Sequence, residues 1–212
     1  MKRFIFMAIA MLALLTVPAK AQKTDVFKIT TGKKSMDVKY SYSKHDGLTR
    51  LSFTINGDTT VQDMNGSFQT VYWKISKPAQ NTEVSVVVEN GKYHMTGKIK
   101  GEAVDKLIDS GGYPWYQHIG IAAGKNVPQG GKITFGCFRP DQLDFYTMTA
   151  EDKGTEAIGP FSNAQRIKVT PTGRFAKLWS CDYYLDPQTK EYIAYKAVEG
   201  PPGTALTTWI RQ

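Results

Sequence analysis

The feature that most constrains this chain is a two-residue alternation of apolar and polar side chains, recurring from residue 36 almost to the C-terminus. Met36, Val38, Tyr40 and Tyr42 alternate with Asp37, Lys39, Ser41 and Ser43, which on a strand puts one set on a single face. Lys44-His45-Asp46-Gly47 then turns the chain, and Leu51, Phe53 and Ile55 repeat the pattern up to Asn56-Gly57-Asp58. Val84, Val86 and Val88, and then Tyr93, Met95 and Ile99, flank Glu89-Asn90-Gly91. Asn-Gly between alternating runs is the strongest short-range hairpin signal. Beyond residue 131 the rhythm predicts strands over 132–138, 142–150, 163–169, 175–184, 190–198 and 204–211. Asp152-Lys153-Gly154, Pro171-Thr172-Gly173, Asp186-Pro187 and Gly200-Pro201-Pro202-Gly203 punctuate them as turns. Turn signals roughly 8–12 residues apart imply a mainly β chain. The expected architecture is a single antiparallel, strongly curved sheet (half-barrel or barrel-like), with a two-sheet β-sandwich as the alternative.

One stretch breaks the rhythm. Residues 111–124 lack clean alternation and hold Tyr113, Trp115, Tyr116 and His118 between Gly and Pro residues. A short helix or ordered loop near 113–123 suits them. Gly124 to Gly131, with Pro128, reads as a link between residues 24–110 and 132–212. No repeat relates the two halves, so residues 22–212 are expected to form a single β-rich domain.

The first 21 residues read as a signal peptide: Lys2 and Arg3, an apolar run from Phe4 to Val17 broken only by Thr16, then Pro18 and Ala19-Lys20-Ala21. Cleavage before Gln22 predicts a periplasmic or secreted product. No Cys follows the apolar run, so a lipid-anchored form is not expected. No later stretch approaches the ~18 apolar residues of a membrane-spanning helix, so the mature chain is read as having no transmembrane segment. Losing Lys2, Arg3 and Lys20 from 27 basic residues leaves 24 against 19 acidic, formally +5. These charges are scattered, as on a solvated surface. With no basic cluster or recognition motif, nucleic acid is not an expected partner.

Chemistry is sparse. His45, His94 and His118 are far apart and show no metal-ligand spacing. No GxSxG, SxxK or HExxH motif is present. Asp105 and Asp109 would share a helical face if Val104–Ile108 were helical, and Asp141 and Asp144 flank a strand start; glycosidases need two carboxylates facing each other across a cleft, but nothing singles either pair out. No cofactor, metal or catalytic residue is assigned. Strand phase turns both Cys137 and Cys181 toward apolar surface. Export leaves two alternatives open, a disulfide or two buried thiols. The remaining signal is aromatic. Trp73 and Trp179 sit in strand patterns and read as core, whereas Tyr113, Trp115, Tyr116 and His118 read as a ligand-binding wall on an irregular segment. The competing role for Trp115 is a plug at one end of the barrel.

The runs Ala164 to Pro171, Leu178 to Tyr184, Tyr192 to Tyr195 and Gly200 to Gly203 resemble a family of exported bacterial β-proteins of uncharacterised function. The likeness spans residues 130–210. It implies the curved sheet around a helix of periplasmic lipoprotein-carrier half-barrels, although the lipid-anchor Cys common among relatives of those carriers is missing here. It transfers no catalytic residue. Two functions follow as expectations. One is a non-enzymatic extracytoplasmic protein binding an apolar or amphiphilic envelope ligand, such as a lipid. The other is a carbohydrate-active module, binding or hydrolysing a glycan. A half-barrel with an apolar hollow supports the first, and a sandwich with an exposed aromatic platform supports the second.

Overall fold

A computed structural model describes residues 23–139, 143–173, 179–198 and 203–212. Residues 1–21, read as a signal peptide, Asp141, and Gly200, Pro201 and Pro202, read as a turn, lie outside the described residues. Eight strands come first: β1 (Lys23–Thr31), β2 (Lys34–His45), β3 (Leu48–Ile55), β4 (Asp58–Met64), β5 (Thr70–Lys77), β6 (Thr82–Glu89), β7 (Lys92–Ile99) and β8 (Glu102–Asp109). An irregular stretch and α1 (Ile119–Asn126) follow. Then come β9 (Lys132–Phe138), β10 (Phe145–Ile158), β11 (Phe161–Pro171), β12 (Cys181–Leu185), β13 (Tyr192–Val198) and β14 (Leu206–Arg211).

Among the described residues these strands make one 14-stranded sheet, in the order β8-β7-β6-β5-β4-β3-β2-β1-β14-β13-β12-β11-β10-β9. Every pairing is antiparallel. Two meanders are therefore joined where β14 returns to β1, with Ile29 opposite Trp209. The hairpins form where the sequence supplies residues that tolerate left-handed backbone. Asp46-Gly47, Asn56-Gly57 and Asn90-Gly91 have φ of 46° and 78°, 52° and 87°, and 50° and 76°. Positive φ at both central residues is the type I′ geometry that matches strand twist.

The end strands β8 and β9 do not pair with each other; the sheet rolls past itself. β9 shows this most clearly, because it buries both faces. Phe135, with Ile133 and Cys137, faces a large core shared with Phe27, Tyr40, Leu51 and Ile167. Phe138, on the other face, joins a second core with Trp73, Val84, Val86 and Met95 from β5–β7. The inner face of β5–β7 thus lies over the outer face of β9. A third, smaller cluster forms where Phe161, at the tip of the β10–β11 hairpin, packs with Tyr184 and Ala194.

The turn expected at Asp152-Lys153-Gly154 is a bulge inside a long β10 instead. Register slips between Asp152 and Thr155. The Asp152 carboxylate accepts from the backbone N–H of Gly130 and Gly154, both at 2.9 Å, and from Gln165 Nε2 at 3.0 Å. A polar side chain that satisfies the freed amides lets the strand continue to Ile158. Trp179, read as core, is 36% exposed, since β12 begins only at Cys181.

The helix lies against β12 and β13, and two glycines permit that approach. A Cβ on Gly120 would stand 2.6 Å from the Tyr183 ring, and one on Gly124 would collide with the Lys190 carbonyl. Gly124→Ala should therefore cost about 1–3 kcal/mol through forced backbone movement, despite alanine's better helix propensity. Urea denaturation checks this, and an unchanged or raised midpoint contradicts it.

Candidate functional site

The large core is lined by aromatic side chains from strands distant in sequence. Phe27 stacks on Tyr192 with ring centroids 4.9 Å apart, and Tyr40 stacks on Phe53 at 4.6 Å. His118, immediately before α1, meets Tyr40 and Tyr192 edge-on at 5.5 and 5.2 Å. Its Nε2 lies 3.1 Å from the Tyr40 hydroxyl, while Nδ1 is buried with no hydrogen-bond partner, as is Trp209 Nε1. Burial pushes the His118 imidazole down to about 4 and raises the phenols of Tyr40, Tyr183 and Tyr192. This part of the interior is uncharged at neutral pH, because desolvation disfavours every ionised form.

At the helix end this core opens into a hollow of about 420 Å³, within the range typical of small-molecule sites. Its apolar floor is Tyr42, Phe68, Ile121 and Tyr192, and Lys23, Lys44, Lys125 and Lys190 stand around it with Asp25 and Glu191. The carboxylates are already engaged. Glu191 takes Lys23 at 2.6 Å and Arg211 at 2.8 Å, and these cations hold its carboxyl below the usual range. Asp25 lies 3.7 Å from Lys23. Lys190 donates to Gln165 Oε1 at 2.8 Å. Lys44 donates to the Thr49 hydroxyl. Lys125 donates to the Gly66 carbonyl at 3.0 Å and lies 5.0 Å above the Phe68 ring. An apolar floor below a cation-rich rim suits an amphiphile.

A second recess, of about 440 Å³, lies on the opposite face of the sheet beside Arg50, Val61, Asp63, Tyr72 and Lys74. Its charges answer one another. Arg50 binds both carboxylate oxygens of Asp63 at 2.7 Å, and His45 Nε2 stands 3.1 Å from the same group. Lys74 pairs with Glu83. His94 bridges Glu89 at 3.0 Å and Asp105 at 2.8 Å on the sheet surface. Among the described residues no group of three or more His, Cys, Asp or Glu could hold a metal ion. No disulfide joins Cys137 to Cys181, and burial raises the Cys137 thiol to about 12.

The residues read as one wall are divided between different environments. Tyr113 is 41% exposed, Trp115 is wholly buried in the second core, and Tyr116 is buried in the first. None of these three, nor His118, lines the hollow; His118 sits behind Tyr192, which does. The segment's backbone explains the division. Thr70 N–H donates to the Trp115 carbonyl at 2.8 Å, Tyr116 N–H to Gly136 at 3.0 Å, and Gly136 N–H to Pro114 at 2.9 Å. Residues 114–117 thus form a short rung between β5 and β9, and successive side chains must point to opposite sides of it. Gln117 locks the rung: its Oε1 accepts from Trp115 Nε1 and Phe138 N–H at 2.9 and 3.0 Å. The floor and rim residues carry no sequence signature of their own. The one available hint was Gly120 with Gly124, four residues apart on a helix and marking its close-packed side.

No protein family matches the chain, and no curated protein does. Among solved structures the chain is similar to a β-barrel-like protein of the domain of unknown function DUF1849 from Brucella abortus. The TM-score is 0.57 at 9% identity, covering 92% of this chain and 96% of that one. A DUF1329 family protein from Desulfovibrio piger aligns over 92% of this chain and 85% of its own at 10% identity, with a TM-score of 0.30. The first likeness shows the barrel-like fold.

Two measurements check these placements. Trp115→Ala should lower stability by ~3–5 kcal/mol through the cavity it leaves, and a near-unchanged urea midpoint would contradict its place in the second core. For His118 the folded protein resists protonation that the unfolded chain accepts near pH 6.5. Stability should therefore fall as pH drops from about 6.5 to about 4, by up to roughly 3 kcal/mol. Tyr40, Tyr183 and Tyr192 face the ring and stay neutral throughout. His118→Gln should flatten this part of the pH–stability curve, and an equally steep curve would contradict the assignment.

Proposed function

We propose that this chain is an extracytoplasmic binding protein that holds the apolar part of an amphiphilic envelope molecule over Tyr42, Phe68, Ile121 and Tyr192. The observation that carries this reading is the hollow itself, open to solvent beside a helix that closes the rest of the core. Apolar atoms buried there gain roughly 25 cal/mol per Å² removed from water, and the neutral aromatic layer beneath imposes no charge on an incoming chain. The signal-like N-terminus supports an activity outside the cytoplasm. The rolled single sheet supports the apolar-ligand reading over the glycan one. Trp73 and Trp115 are buried in the second core, so neither ring is offered to a sugar. No residue is assigned a catalytic role, and no cofactor enters the reading.

Dodecanol, a neutral probe, tests the reading. Native mass spectrometry and quenching of intrinsic fluorescence should show it bound by the full-length exported protein. Ile121 is half-buried in the floor, so Ile121→Gln should weaken binding by about tenfold, roughly one buried side chain's worth of transfer energy, with little change in melting temperature. Wild-type protein that retains no dodecanol, or a variant that binds it equally well, would overturn the reading.

A further inference from the structure

We infer that the head group received at this mouth is anionic, a carboxylate or a phosphate, taken between Lys44 at the end of β2 and Lys125 in the last turn of α1. The inference rests on the amphiphile reading above and adds the charge of the ligand.

The rim carries four lysines against two carboxylates, and the carboxylates are not shared evenly. Glu191 and Asp25 both lie against Lys23, and Glu191 also takes Arg211. Lys44 and Lys125 have no carboxylate partner among the described residues; each is tied to a neutral acceptor, the Thr49 hydroxyl and the Gly66 carbonyl. An ammonium has three donors, so each keeps two for a ligand. Their tethers also aim them. Lys44 is held at the strand wall, and Lys125 is drawn across the Phe68 ring. Phe68 belongs to the floor, so the Lys125 charge stands where an apolar chain on that floor would meet its head group. Lys125 also offsets the carbonyl end of α1, but that role requires neither the Gly66 contact nor the position over Phe68. Lys44 has no helix end to offset. Both lysines are exposed, so each contact is weak alone and screened by salt.

The test compares dodecanoate, dodecyl phosphate and dodecanol at concentrations below micelle formation, using the full-length exported protein and its Lys44→Gln/Lys125→Gln form. Both anionic probes should bind wild type about tenfold tighter than dodecanol, the sum expected of two screened ion pairs. That preference should shrink at about 0.5 M salt, where the screening length is only a few ångströms. The double variant should lose the preference and keep its dodecanol affinity. A preference for only one anionic probe would narrow the head to carboxylate or to phosphate and still support the site. Equal wild-type affinity for all three would overturn the anionic head while leaving the amphiphile reading intact, as would a preference that survives in the double variant. Failure of all three to bind would remove both.

Discussion

The hydrogen-bonded rung at residues 114–117 holds the rolled sheet in place. An antiparallel sheet whose end strands never meet has two open edges and two faces to bury, and this chain meets both demands by overlapping itself. Thr70 on β5 and Gly136 on β9 bond to the same short segment, so strands far apart in sheet order become neighbours. Trp115 enters the space between them, meeting Tyr93 at 5.1 Å and Phe138 at 5.4 Å. Because the rung ends at Gln117, the next residues fall inside the roll, and α1 begins there. The hollow's position follows from that sequence of constraints: helix start, helix direction, and the gap left between its second turn and the ends of β1 and β2.

Charge is sorted by the same geometry. Burial keeps the aromatic layer neutral and leaves His118 Nδ1 without a partner, a cost that its T-shaped ring contacts offset in part. Ionised side chains gather at the rim, where water remains available. The recess on the opposite face is of similar size, yet its arginine is already bound by a carboxylate through two hydrogen bonds. Volume alone does not separate the two depressions. Unanswered charge beside an apolar floor does.

Much of the fold was legible because strand alternation and turn chemistry are local. β2, β9 and the hairpins at Asp46-Gly47 and Asn90-Gly91 follow directly from residue order, and a helix falls where alternation fails. Asp152-Lys153-Gly154 misleads for an equally local reason: the residues that favour a turn also favour a bulge, and the deciding partners, Gly130 and Gln165, are remote. β8 was hidden because Glu102 and Lys106 share the face of its packed residues Val104 and Ile108 and break the apolar alternation, as suits a sheet edge. The site was less legible. Tyr42, Phe68, Ile121 and Tyr192 meet only because β14 returns to β1 and α1 tucks against β12 and β13, a closure that no short window encodes. The alternation fails at 113–118 because the backbone there bonds to both Thr70 and Gly136, a pairing between distant strands that residue order does not display.

Backbone amide shifts in a two-dimensional NMR titration with dodecanoate test the central claim, that the ligand lies in the hollow beside α1. Perturbations should concentrate at residues 42–44, 66–68, 121–125 and 189–192, with Trp115 and the β5–β7 amides unmoved. Shifts centred instead on Arg50, Asp63 and Tyr72, or spread evenly over the sheet, would contradict it.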